Sequence, residues 1–173
     1  MRIKRLVAVV IFLAMFSVLA GCSSFSRTTD LTKAKTGYIT DIANMQILVN
    51  DTCFSADKNT EVVSEKGEQM KFTDLAIGVK VEPWFEGGIR ESFPAQADVK
   101  KIVVITDKDS GLMQTAVKAI VDYARANYGN TVIFQDTQVS KAYFQATIAG
   151  VTLGNPNPVT IQYDFETKQI LKQ

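Results

Sequence analysis

Hydrophobic and polar positions divide the chain into four stretches. An uninterrupted apolar run, Leu6 to Phe16, follows Arg2, Lys4 and Arg5 and gives way to small residues by Ala20. Ser23 to Lys35 is rich in Ser, Thr and Lys without an apolar period, which predicts a tether. From Thr36 onward, short apolar runs alternate with turn residues. Gly37–Ile42 and Met45–Val49, separated by Ala43-Asn44, read as a hairpin or bent strand pair, and Val62-Val63 and Met70–Phe72 flank a turn at Lys66-Gly67. Thr73–Gly78 predicts one helical turn, capped by Thr73 and stopped by Gly78. Val79–Phe85 reads as a strand with Pro83 marking an edge or bulge, because proline cannot donate to a ladder. A turn at Gly87-Gly88 and strands at Ile89–Phe93 and Ala97–Ile105 complete this set.

The pattern changes near Asp107. Leu112, Met113, Ala116, Val117, Ile120, Val121 and Ala124 recur at intervals of three and four, which predicts a helix over Ser110–Tyr128 ending at Gly129. Strands are expected at Thr131–Gln135, Ala142–Ala149 and Val159–Phe165, with a short piece at Gln169–Leu171. The loop Gly154–Pro158 joins the middle pair, and Glu166–Lys168 forms a polar turn. The expected fold class is α+β: a small OB-like β-barrel followed by an α-helix packed on an antiparallel sheet. The expected boundaries are 1–21 for a signal peptide, 22–35 for the tether, 36–105 for the barrel and 106–173 for the helix-plus-sheet part.

The first 20 residues have the charged, apolar and small-residue order of a secretory signal. Leu19-Ala20-Gly21-Cys22 at its end resembles the lipobox of bacterial lipoproteins. That resemblance implies a diacylglycerol on Cys22, cleavage before it by signal peptidase II, and an extracytoplasmic protein anchored to the cell membrane. The alternative is a single-span anchor, for which an apolar run of about fifteen residues is short of the roughly 20 that cross a bilayer. Two acyl chains hold firmly where one holds reversibly. Only Cys53 would remain as a thiol, which precludes an internal disulfide; it reads as a half-buried strand residue, the sharper alternative being a reactive or intermolecular thiol.

Removing the signal changes the balance from 19 basic and 18 acidic residues to 16 and 18. A nearly neutral chain with only Lys33/Lys35 and Lys100/Lys101 as basic clusters argues against a nucleic-acid partner. The sequence contains no histidine, so the usual general base and the commonest transition-metal ligand are both missing. Glu82, Glu86 and Glu91 could form a carboxylate pair, but no spacing fixes them together. Asp107–Gly111 has the look of a calcium loop without the distant bidentate Glu; Asp109 or Ser110 capping the helix is the expected role. Neither an enzyme activity, nor a cofactor, nor a bound metal is expected.

Trp84-Phe85-Glu86-Gly87-Gly88-Ile89-Arg90-Glu91-Ser92-Phe93-Pro94-Ala95-Gln96-Ala97, followed by Val99–Ile102 and preceded by Asp74-Leu75-x-x-Gly78-x-x-Val81, resembles the YobA-like small bacterial lipoproteins, domain-of-unknown-function family 3221, over roughly residues 36–105. Phe93 stands where that pattern has Tyr. The resemblance implies an OB-like barrel on an envelope lipoprotein and carries no activity, ligand or catalytic residue. The ending Tyr163–Leu171 resembles the closing hairpin of PepSY-like domains. Strand alternation sends Trp84 and Phe85 to opposite faces. The outward ring beside Phe93 could be a stacking platform; alternatively all three rings fill the barrel end. Trp84, Arg90, Glu91, Ser92, Phe93 and Gln96 are therefore the candidate ligand-binding residues, although Arg90 and Glu91 also read as a solvated pair and Ser92 and Gln96 as turn caps. The expected function is a lipid-anchored, non-enzymatic binding or interaction module of the cell envelope, with a protein or saccharide partner. The alternative is a structural or peptidase-inhibitory protein working through residues 106–173.

Overall fold

A computed structural model describes residues 30–149 and 157–172. The signal segment, Cys22, most of the tether and Gly154–Pro156 of the expected loop lie outside the described residues. The fold is α+β: among the described residues, twelve strands form two sheets around one α-helix and a 3-10 turn.

The first sheet has eight strands: β1 (Thr32–Lys33), β2 (Gly37–Ala43), β3 (Gln46–Val49), β4 (Thr52–Ser55), β5 (Glu61–Ser64), β6 (Gln69–Met70), β7 (Lys80–Arg90) and β8 (Ala95–Val104). Neighbouring pairs run β7–β2–β3–β4–β8, and β8 pairs again with β7, so the ladder returns to its starting strand. All contacts around this ring are antiparallel except β4 with β8. Ile39, Ile47, Phe54, Val81, Phe85 and Ile102 point into it and are almost wholly buried. The expected hairpin at Ala43-Asn44 closes through Asn44 and Met45, both at positive φ, and the Lys66-Gly67 turn joins β5 to β6.

Three local expectations need correction. The 3-10 turn is Phe72–Asp74 and starts after Lys71, so Thr73 lies inside it; the Asp74 carboxylate accepts the Lys71 N–H at 2.8 Å. Pro83 is buried within β7 and marks no edge, and the β7–β8 ladder is irregular one residue further on, between Trp84 and Phe85. The Pro83 carbonyl accepts the Ala34 N–H at 2.8 Å, so its donorless nitrogen faces the same side, where the neighbouring chain bends between β2 and β1. Gly87-Gly88 does not reverse the chain. It lies in an irregularity of the β7–β8 ladder between the Glu86↔Asp98 and Arg90↔Gln96 rungs, and the reversal comes at Glu91–Pro94, which contains a cis Phe93-Pro94 bond.

The second sheet is an antiparallel meander, β9 (Phe134–Val139), β10 (Tyr143–Ile148), β11 (Val159–Asp164) and β12 (Ile170–Lys172). The helix α1 (Ser110–Tyr128) lays Met113, Ala116, Val117, Ile120, Val121 and Ala124 on it and ends at Gly129, as its period predicts. Its first turn is closed by an exchange between Asp107 and Ser110. The Asp107 N–H donates to Ser110 Oγ at 2.8 Å, and Asp107 Oδ1 accepts from the Asp109 N–H at 2.9 Å and from the Ser110 hydroxyl at 3.0 Å. Asp109 holds the cap position without a side-chain bond. The polar turn after β11 is tied by Asp164, whose carboxylate accepts from Glu166, from the Thr167 N–H and from the Thr167 hydroxyl. These bonds hold the Asp164 carboxyl below its ordinary range, with the Thr167 N–H the largest cause.

The two sheets share packing through β2 and β3. Strand alternation sends Ile39 into the ring and Tyr38 outward, where its ring meets Phe144 edge-on at 5.3 Å within the core under α1. A bulge between Ile39 and Asp41 leaves Thr40 out of register. Its carbonyl accepts from Arg125 of α1 at 3.2 Å, and Arg125 also donates to Asp41 Oδ1 at 2.7 Å. Leu48 packs outward against Ile133 and Ala149, with half-buried Cys53 beside them.

Candidate functional site

The residues nominated from sequence are spread along β7, its turn and the start of β8. Trp84 and Phe85 do face opposite ways, with Phe85 buried in the ring and Trp84 half-buried outside it. Trp84 is already engaged. Its Nε1–H donates to Glu82 Oε1 at 2.9 Å, Lys33 of β1 lies 5.8 Å above the ring, and Lys33 also salt-bridges Glu82. Thr36 donates to the same carboxylate, which sits below its ordinary pKa, chiefly through the bond from Lys33. Trp84 therefore clasps β1 to β7. The clasp stands on the rung with Lys101, whereas Phe93 lies beyond the Arg90↔Gln96 rung, 55% exposed, so Trp84 and Phe93 neither form one platform nor jointly fill the ring's end.

The rest of that turn is organised by itself. Arg90 pairs with Asp98 rather than Glu91, through two parallel bonds of 2.9 and 3.1 Å that raise the Arg90 pKa and lower that of Asp98. Ser92 Oγ donates to the Pro94 carbonyl at 2.7 Å, the capping role considered for it. Glu91 and Gln96 are exposed. The three glutamates do not converge either, since Glu82 is held by Lys33, Glu86 lies 3.9 Å from Lys100 and Glu91 stands in the turn. Burial pushes the Cys53 thiol up, with Asp41 adding to it, which is opposite to the lowered pKa that makes a thiol reactive.

A more concave surface lies where the two sheets meet. A groove of about 650 Å³ is lined by Tyr38, Lys80, Asp107, Asp109, Leu112, Met113 and Val139–Lys141, and a neighbouring cavity of about 190 Å³ reaches between Gly78, Val104 and Gln114. Leu112 and Val139 line the groove at 43% and 56% exposure. Lys80 stands 5.7 Å above the Tyr38 ring. Tyr38 is almost wholly buried, its pKa raised first by burial and then by Asp107, and it lines the groove. An apolar wall, a phenol and charges of both signs thus converge on one opening. Sequence reading missed this set because its members come from β2, β7, α1 and the β9–β10 turn, and each alone has an ordinary role in its own element.

The profile of the family described as "Protein of unknown function (DUF3221)" matches residues 36–106. That segment belongs to the DUF3221 family. It takes in β2 to β8 and the whole ring, while α1 and the second sheet fall outside the match. The groove therefore has one wall in the DUF3221 segment, through Tyr38 and Lys80, and one beyond it, through Leu112 and Val139. No curated protein and no solved structure matches the chain.

Proposed function

We propose that the protein is a lipid-anchored, extracytoplasmic binding module, that its β ring is an OB-like barrel, and that its ligand is a short peptide segment of an envelope partner held in the groove between the sheets. The anchor reading is supported by Leu19-Ala20-Gly21-Cys22 behind a basic and apolar leader. The barrel reading is supported by the strand order, five strands closing on themselves with one parallel contact. The observation that carries the binding reading is the amphipathic groove itself, in which Tyr38, Lys80, Leu112 and Val139 line one opening. On this reading the Tyr38 hydroxyl hydrogen-bonds the bound segment. A peptide also offers apolar side chains for Leu112 and Val139 and charges for Lys80 and Asp109. The groove supports this reading better than the Trp84–Gln96 turn does, and on this reading residues 106–173 contribute half of the binding surface. The histidine-free composition and the scattered glutamates support a non-enzymatic role.

A photoreactive side chain at Val139, introduced in intact cells, tests the reading. We expect discrete peptide adducts from Val139 that fall several-fold when Tyr38 is also changed to Phe, a substitution that removes only the hydroxyl. Adducts that ignore Tyr38→Phe, or that arise only from positions far from the groove, would refute it. Mass spectrometry of the same sample reads the diacylglycerol on Cys22.

A further inference from the structure

The end of β7 and the turn that follows it carry two large exposed apolar side chains, Ile89 at 47% in the strand and Phe93 at 55% in the turn. Neither lines the groove, and Trp84 does not share a platform with them. Their position relative to the N-terminus matters. β1 runs antiparallel to β7, with Lys33 opposite Trp84 and Thr32 opposite Phe85. Traced backwards from Thr32, the chain leaves in the direction in which β7 advances past Phe85, toward Ile89 and Phe93. Cys22 precedes Thr32 by ten residues, a length that spans at most about 35 Å. The Phe85 to Arg90 stretch of β7 covers about 17 Å of that distance. A lipid on Cys22 can therefore bring this end to the bilayer surface, and the opposite end of β7, where Lys80 enters the groove, lies on the side away from the chain's exit.

Resting on the anchor reading above, we infer that the end of β7 and the turn after it insert Ile89 and Phe93 into the interfacial layer of the membrane that holds Cys22. The local charges suit a shallow seat. Arg90 is neutralised by its paired bonds to Asp98, so it needs no lipid counter-charge. Glu91, between Ile89 and Phe93, is exposed, and the cost of burying its charge in hydrocarbon limits the seat to headgroup depth. An apolar recess of about 320 Å³ opens at the same end, with buried Val49, Phe54 and Phe85 inside and Ile89 and Lys35 also lining it. Two side chains bind a bilayer weakly by themselves. Tethering makes their insertion intramolecular, at an effective concentration in the millimolar range. The anchor supplies proximity, and the turn sets orientation, with the groove facing outward.

The test uses the full lipidated chain in vesicles of phosphatidylglycerol and phosphatidylethanolamine carrying brominated acyl chains. Trp84→Phe provides a silent background into which Phe93→Trp or Leu112→Trp is placed; repeating the pair with Trp84 retained controls for any loosening of β1. Emission from position 93 is expected to fall about twofold relative to unbrominated vesicles, as for a ring at the headgroup and acyl boundary, while emission from position 112 stays unchanged. Equal quenching at both positions, or none at either, in protein whose Cys22 is shown by mass spectrometry to be diacylated, overturns the inference and leaves the anchor standing. Absence of the lipid from Cys22 overturns the anchor and the proposed orientation with it.

Discussion

Gly78 illustrates how much one residue can hold. Its φ is +88°, and a Cβ there would stand 2.5 Å from the Gln114 carbonyl oxygen and 2.9 Å from the Gln114 Cα, so the approach of α1 to the start of β7 leaves no room for a methyl group. In sequence the same glycine reads as the stop of a helical turn, a role any positive-φ position could fill. Gly78→Ala is expected to cost about 3 kcal/mol, from the left-handed backbone penalty together with overpacking against a helix backbone. The midpoint of urea unfolding measures it, and a loss below about 0.5 kcal/mol would show that α1 can move aside. Trp84 and Phe93 make the complementary point. Their chemistry was legible, but whether each ring was free, clasped or exposed depended on Lys33 and Glu82 for one and on a bulged ladder for the other.

At the scale of elements, the helix was read with its ends intact because its stripe has one apolar face and one partner, the second sheet. Ile120 is fully buried in that stripe, and Ile120→Ala should destabilise the protein by about 2–5 kcal/mol without altering the helix ends, measurable by chemical denaturation alongside far-ultraviolet circular dichroism. Strands were less faithful to their apolar content. Val132 and Ile133 were expected within a strand over Thr131–Gln135, yet both are buried outside any strand, Ile133 covering Leu48, while β9 begins at Phe134 and continues through polar residues to Val139. Apolar residues report burial, and burial does not require a ladder. Ile39 and Ile42 teach the same lesson within β2. A spacing of three puts them on opposite faces of a regular strand, but both pack toward the ring interior because the bulge at Thr40 resets the alternation.

On the scale of the whole molecule, the two sheets do not stand apart. Tyr38 and Leu48 belong to the first sheet and are buried by α1 and the second. A fragment ending at residue 106 would expose both, each burial being worth about 1.5–3 kcal/mol, and would lose the Arg125 bonds to Thr40 and Asp41. Against a typical total of about 5–15 kcal/mol, this loss is large. The fragment is expected to unfold at a clearly lower urea concentration than the full chain and to bind a hydrophobic dye that the full chain does not. Equal midpoints would mean that the ring is self-sufficient and that the shared packing adds little.

The chain's own pattern determined the α+β class, the helix, most strand positions and the kinship of roughly residues 36–105 to DUF3221. These are local properties: apolar period, turn chemistry and short motifs survive in a linear string. Tertiary structure alone decided that Pro83 is interior, that Arg90 takes Asp98, that Gly78 is a contact point, and that Tyr38, Lys80, Leu112 and Val139 surround one groove. Each depends on partners brought together by strand register and by the seating of α1. Neither is written in the spacing of neighbouring residues; both follow from which surfaces can be buried together.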